Sequence, residues 1–284
     1  MPDLSLKRTL ASLVLPCLFL SACSTASRNL TKQAAIESRK SLAAGDFQKA
    51  LDSFKEATKK NPRSKELTEN YIRTVEEIKR TADRALGQRD FVRASNIYRV
   101  LLNNSAGFGG FAARLTFNKP FLETGLKNCR IGIVDGQAQE DLKMGDFAKV
   151  LETHQAALKE YPGDAEWAAS YARAVQAIKA AGDKALADQD FVQSGKVYAL
   201  LLRNFPSFGG LQAAVAFART DLAGALEVCR DSLTKAGLAE YRKGNLAKAI
   251  AVWEGLLSFD PNNAEIRNAV ETARTQLNEI IKKK

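Results

Sequence analysis

Residues 104–110 read NSAGFGG and residues 204–210 read NFPSFGG, one hundred positions later. This is one joint copied with the unit that contains it. When residues 37–130 are set above 137–230 without a gap, Leu42, Gly45, Asp46, Phe47, Lys49 and Leu51 recur as Leu142, Gly145, Asp146, Phe147, Lys149 and Leu151. Pro62, Tyr71, Arg73, Val75, Ile78, Lys79, Asp83 and Leu86 recur in the same frame, as do Tyr98, Phe108, Gly109, Gly110 and Cys129. Roughly a third of the aligned positions are identical, so the chain contains an internal duplication. A fold that accepts a second copy of one hundred residues in line is built from units that stack on their neighbours.

Each copy holds two smaller units. Their markers are Gly45-Asp46-Phe47, Arg89-Asp90-Phe91, Gly145-Asp146-Phe147 and Gln189-Asp190-Phe191, with Gly244-Asn245-Leu246 opening a fifth. After each marker, small and large apolar residues follow at three- and four-residue steps, as in Phe47, Ala50, Leu51, Phe54 and Ala57, which places them on one helical face. Gly45 is suited to the positive φ that ends one helix and Asp46 to capping the next. Val, Ile and Thr form no alternating runs, and Ala, Leu, Lys, Glu and Gln are plentiful, so the chain is expected to be all-α.

These residues resemble the tetratricopeptide repeat, in which a Gly and an aromatic mark the turn between helices A and B. In that family a small residue lets the helices approach, and a Pro follows helix B. The last unit, GLAEYRKGNLAKAIAVWEGLLSFDP, matches best, with Gly237 at the family's helix-A glycine. The resemblance covers about residues 31–275 and implies a right-handed helical solenoid of about five helix-turn-helix units. The markers are spaced by 44, 56, 44 and 55 residues, against about 34 in the family. The extra length is expected as a long helix from Ser64 to about Gln88 and as a short additional helix in each longer step, where the glycines of Phe-Gly-Gly permit a sharp bend. Asn118-Lys119-Pro120 and Thr220-Asp221 read as helix starts.

The N-terminus carries an address. Lys7 and Arg8 precede an apolar run from Leu10 to Leu20, too short to span a membrane with ordinary flanks. The run ends Leu20-Ser21-Ala22-Cys23, which resembles the lipobox of bacterial lipoproteins. That resemblance implies cleavage before Cys23, a diacylglyceryl thioether on its sulfur and an acylated amino terminus. Ser24 in the next position implies the outer membrane, with the protein facing the periplasm. The expected organisation is a signal peptide over 1–22, a lipidated terminus and tether over 23–32, units one and two over 33–132, units three and four over 133–232, and unit five with a C-terminal helix over 233–284. Cys129 and Cys229 occupy equivalent repeat positions, which are displaced along an array, so they are expected as buried thiols rather than a disulfide.

Little in the chain points to chemistry. His154 is the one histidine, and it fills a core-aromatic slot, so it is expected to be structural. No Cys/His spacing suits a metal, and GFGGF lacks the Lys-Ser/Thr of a phosphate loop. The chain is expected to be no enzyme and to take no cofactor, metal, nucleic acid or small-molecule substrate. Lys79 and Asp83 recur as Lys179 and Asp183, beside Leu86 and Leu186. Their spacing suits an intrahelical ion pair contributing about 0.3–0.5 kcal/mol. Family alignment places them on the concave side, where they become the candidate contacts for a partner. The function expected is a lipid-anchored periplasmic scaffold holding another envelope protein in its groove, a layout shared with lipoproteins of outer-membrane β-barrel assembly and with type IV pilus pilotins. The alternative uses the formal charge of +10 to hold peptidoglycan or lipopolysaccharide.

Overall fold

A computed structural model describes residues 15–211 and 214–282, with the side chains of 15–27, 209 and 210 left aside. Residues 1–14 of the expected signal peptide, the side chain of Cys23 and the terminal Lys283-Lys284 lie outside the described residues. The chain divides into two compact units, one ending at Ile133 and the other beginning at Val134. Among the described residues every regular element is helical.

In the first unit, α1 (Leu15–Ala43) pairs with α2 (Phe47–Lys60), and α3 (Lys65–Gly87) with α4 (Phe91–Asn104). Two 3-10 turns, Ser105–Phe108 and Ala112–Arg114, lead into α5 (Lys119–Met144), within which the division falls. The second unit continues with α6 (Phe147–Glu160), α7 (Ala165–Ala187), α8 (Phe191–Asn204), a 3-10 segment (Phe205–Leu211), α9 (Arg219–Arg242), α10 (Leu246–Leu257) and α11 (Ala264–Lys282). These helices also pack in sequence order, α7 on α8, α8 on α9, α9 on α10 and α10 on α11.

The hairpin turns are built alike. Asp46 N–H donates to the Ser41 carbonyl at 2.8 Å and Gly45 N–H to Leu42 at 3.0 Å, the paired bonds of a Schellman end. Gly45 has φ 75°, and Gly145 and Gly244 each 76°. The Asp46 carboxylate then accepts the Lys49 N–H, so one residue finishes α1 and starts α2. Asp90, Asp146 and Asp190 repeat this at α4, α6 and α8. At two of the turns the left-handed position is not glycine: Arg89 has φ 61° and Gln189 φ 60°.

Helix contact is closest where a small residue faces a large one. A Cβ on Gly237 would lie 2.2 Å from Trp253 Nε1, and one on Gly125 2.8 Å from the Tyr98 ring. Such contacts fix the spacing of α9 against α10 and of α4 against α5.

The long helix expected from Ser64 is α3, capped by Ser64 Oγ on Leu67 N–H at 3.3 Å. Two expectations are corrected. Among the described residues no separate short α-helix fills the longer steps. The Phe-Gly-Gly joints are 3-10 turns, and the remaining length goes into α5 and α9, of 26 and 24 residues. Nor does Gly109 supply a special bend, since its φ and ψ of −47° and −38° are open to any residue. The phenylalanine does the anchoring. Phe108 is buried against Tyr71 at 6.1 Å between ring centres, and Phe208 against Tyr171 at 5.8 Å. Second, residues 24–32, expected as a tether, belong to α1. Thr31, Ala34, Ser38 and Ser41 are buried at steps of three and four residues, a stripe of small side chains that permits close helix approach but does not register as apolar.

Candidate functional site

Lys79 and Asp83 lie on α3, four residues apart, and form an ion pair of 2.7 Å. Asp83 is also held from α4, where the Tyr98 hydroxyl donates to its Oδ1 at 2.7 Å. The Lys79 ammonium stands 4.7 Å from the centre of the Phe121 ring at the start of α5. The second unit repeats the arrangement on α7 and α8: Lys179 to Asp183 at 2.7 Å, and Tyr198 to Asp183 at 2.7 Å. Its aromatic neighbour is Phe217, 5.8 Å from Lys179, which sits at a different repeat position from Phe121. Burial, and then the adjacent carboxylate, push both tyrosine hydroxyls well above the usual phenol range. They remain donors at any physiological pH.

Leu86 and Leu186 do not join these clusters. Each is half-buried and packs on the core of its own unit. Their carbonyls accept the N–H of Arg89 and Gln189 in the turns that follow. Of the six expected groove residues, the structure therefore brings together one Lys–Asp pair per unit and assigns each leucine to a hairpin turn.

A second cluster forms in the second unit only. Asp135 on α5 accepts the Ser170 hydroxyl on Oδ1, and its Oδ2 lies 2.8 Å from Arg173 Nη2, both donors coming from α7. His154 on α6 is 1% exposed and lies flat against Tyr171 at 5.7 Å. Its Nδ1 is 2.8 Å from the Val150 carbonyl, which can only accept, so Nδ1 carries a proton. Its Nε2 faces Asp135 Oδ1 at 3.7 Å. Burial alone would raise the Asp135 pKa, but the neighbouring His154 ring, Ser170 hydroxyl and Arg173 guanidinium prevail and hold it at about 2.

Aspartate, histidine and serine are thus brought together, but not as a catalytic relay. In a relay the histidine takes the serine proton and the aspartate orients the histidine. Here the Ser170 hydroxyl donates its hydrogen bond to the aspartate rather than to the histidine, and the histidine's other nitrogen is committed to its own helix. The arrangement fastens α5 and α7 around α6 and activates no nucleophile. Sequence reasoning placed His154 in the core but missed Asp135, Ser170 and Arg173 as its neighbours. The available signal was the divergence of the copies, in which Ala35, Phe54 and Asn70 stand against Asp135, His154 and Ser170.

Cys129 and Cys229 are free and fully buried, and burial pushes the Cys129 thiol up to about 11. Among the described residues no group of three or more His, Cys, Asp or Glu could hold a metal ion, and no helix is long and apolar enough to cross a membrane.

The fold defines an all-α protein of tandem helical hairpins. No protein-family model matches the chain, and no curated protein matches it. Among solved structures, a "Circular tandem repeat protein with novel repeat topology and enhanced subunit contact surfaces" matches 90% of this chain at 14% identity, with a TM-score of 0.22. The chain spans 62% of that protein's length. A likeness at this score carries no argument, and the assignment to tandem hairpins rests on the helices and turns themselves.

Proposed function

We propose that the protein is a lipid-anchored scaffold of the bacterial envelope, tethered through Cys23 to the outer membrane and holding another envelope protein on its helix-A faces. The observation that carries this reading is repetition at the surface. The two units present the same Lys–Asp pair, partly exposed, held from behind by a buried tyrosine and beside a phenylalanine, on equivalent helices. Stacked hairpins offer such faces as extended binding surfaces. Two or three acyl chains on the Cys23 terminus would bury many methylenes at about 0.8 kcal/mol each, enough for stable anchoring. The lipobox-like Leu20-Ser21-Ala22-Cys23 supports the address.

The test is a crosslinked pull-down from detergent-solubilised envelopes at low and high salt, with the lipid intact. One stoichiometric protein retained at high salt is the expected result. Recovery of wall fragments or lipopolysaccharide alone, lost at high salt, would overturn the scaffold in favour of charge-driven polymer binding. Substitution Cys23→Ala is expected to abolish incorporation of labelled palmitate and to release the protein from the membrane fraction; continued labelling would refute the anchor.

A further inference from the structure

The two copies differ most tellingly at one place. In the second unit Asp135 inserts a carboxylate between Ser170 and Arg173. In the first unit the equivalent of Asp135 is Ala35, and no carboxylate arrives from that position. The space is a cavity of about 160 Å3 bounded by α1, α2 and α3. It keeps the donors. Arg73, the equivalent of Arg173, and Asn70, the equivalent of Ser170, both line it, with Arg39 beside them. Among the described residues Arg73 forms no ion pair, whereas Arg173 is 2.8 Å from Asp135.

A second observation points to a missing acceptor. Ser38 lines the same cavity, is 1% exposed, and its hydroxyl has no hydrogen-bond partner among the described residues. A buried hydroxyl left unpaired costs about 1–3 kcal/mol. The equivalent residue in the second unit is Ala138, with no such group to satisfy. Two guanidinium groups and one carboxylate, Glu77, line the cavity, which leaves a local excess of one positive charge. That balance suits a monoanion, and a guanidinium fork matches the two oxygens of a carboxylate.

We propose that the cavity binds the carboxylate side chain of an aspartate or glutamate presented by a partner, and that Asp135 is the chain's own built-in version of this ligand in the second unit. The proposal rests on the scaffold reading and names what the scaffold grips. The occupant is a side chain rather than a chain terminus because the internal counterpart is one: a carboxylate on a single methylene, offered from a helix. About 160 Å3 has room for that group and the carbons that carry it.

The test is a saturation-transfer NMR titration of the full chain in detergent with three pentapeptides. The first is Ala-Ala-Asp-Ala-Ala capped at both ends, the second has Asn for Asp, and the third is all-alanine with a free C-terminal carboxylate. The Asp peptide is expected to bind at least tenfold more tightly than the Asn peptide. Substitution Ala35→Asp, which installs the chain's own carboxylate, and Arg73→Gln are each expected to weaken it at least tenfold. Indistinguishable Asp and Asn peptides, preference for the free terminus, or unchanged binding in the variants would overturn the proposal. Should Ala35→Asp fail to fold, the surface substitution Arg73→Gln still decides. The pull-down separates the two readings. A protein captured equally by wild type and Arg73→Gln keeps the scaffold and overturns the cavity; no captured protein overturns the scaffold, and the titration then judges the cavity alone.

Discussion

Replacing Arg89 or Gln189 by glycine should stabilise the protein. Both residues hold φ near 60° at the position where the other three hairpin turns use glycine. An L-residue there loses roughly 1–2 kcal/mol to contact between Cβ and the backbone. Glycine removes that cost but adds about 0.5–1 kcal/mol of backbone entropy to the unfolded chain. The side chains contribute little in return, because both are exposed and the hydrogen bonds that define the turn run through backbone atoms. The net expectation is a gain of about 0.5–1 kcal/mol for each substitution, or roughly 2–4 °C in Tm for units of this size. The reverse substitution is an internal control. A Cβ on Gly45, Gly145 or Gly244 would meet no atom within 4 Å, so Gly→Ala there probes the backbone alone and, by the same balance, should cost about 0.5–1 kcal/mol. Urea unfolding followed by circular dichroism at 222 nm measures both series. A loss on Arg89→Gly, or free tolerance of Gly45→Ala, would refute the argument that conformation rather than side-chain contact sets these turns.

Four further outcomes are expected. Asp135→Ala should cost about 1–3 kcal/mol by leaving the buried Ser170 hydroxyl unpaired; because the folded pKa is depressed to about 2, the stability from this carboxylate is present above about pH 4 and lost as pH falls towards 2, so acid titration of the variant should be flatter in that window. Gly237→Ala drives a methyl into the Trp253 indole and should cost about 1–3 kcal/mol, with a red shift of Trp253 emission when Trp167 is replaced by Phe; unchanged emission and stability would mean that the close contact does not set the helix spacing. Phe108→Ala should cost about 3–5 kcal/mol, whereas Gly109→Ala should be close to neutral, since its Cβ would meet only the Ala106 carbonyl at an ordinary 3.7 Å; equal costs would restore the glycine as the essential part of the joint. Tyr98→Phe and Tyr198→Phe should each lose about 1 kcal/mol, and a double-mutant cycle with Asp83→Ala or Asp183→Ala should show the coupling.

What could be read from the sequence was local. Gly45-Asp46 announces its turn because the left-handed glycine and the capping aspartate are neighbours in the chain, and their hydrogen bonds reach no further than five residues. The face formed by Ala50, Leu51, Phe54 and Ala57 is legible for the same reason, being one helix's own periodicity. Contacts between elements were not legible. Asp135, His154 and Ser170 are separated by 19 and then 16 positions and meet only because α5, α6 and α7 pack together. The α1 stripe was hidden by its chemistry: Thr31, Ser38 and Ser41 are buried for their size, while their polarity reads as solvent-facing. The Phe-Gly-Gly joint misled in the opposite direction. Its two glycines drew the reading towards backbone freedom, and the buried ring of Phe108 is what holds the segment against Tyr71.

The aspartate that ends one helix and begins the next has a consequence for inheritance. Each of the four aspartate turns is specified by residues within one short stretch, from the carbonyl five positions before Asp46 to the N–H three positions after it. An inserted hairpin therefore arrives with its own instructions for turning, and it asks nothing of distant sequence except a complementary face on which to rest. A gene lengthened by one hundred codons in this way yields a chain that can fold at once. The two copies are then free to drift apart at sites such as Ala35 and Asp135 while their turns stay the same.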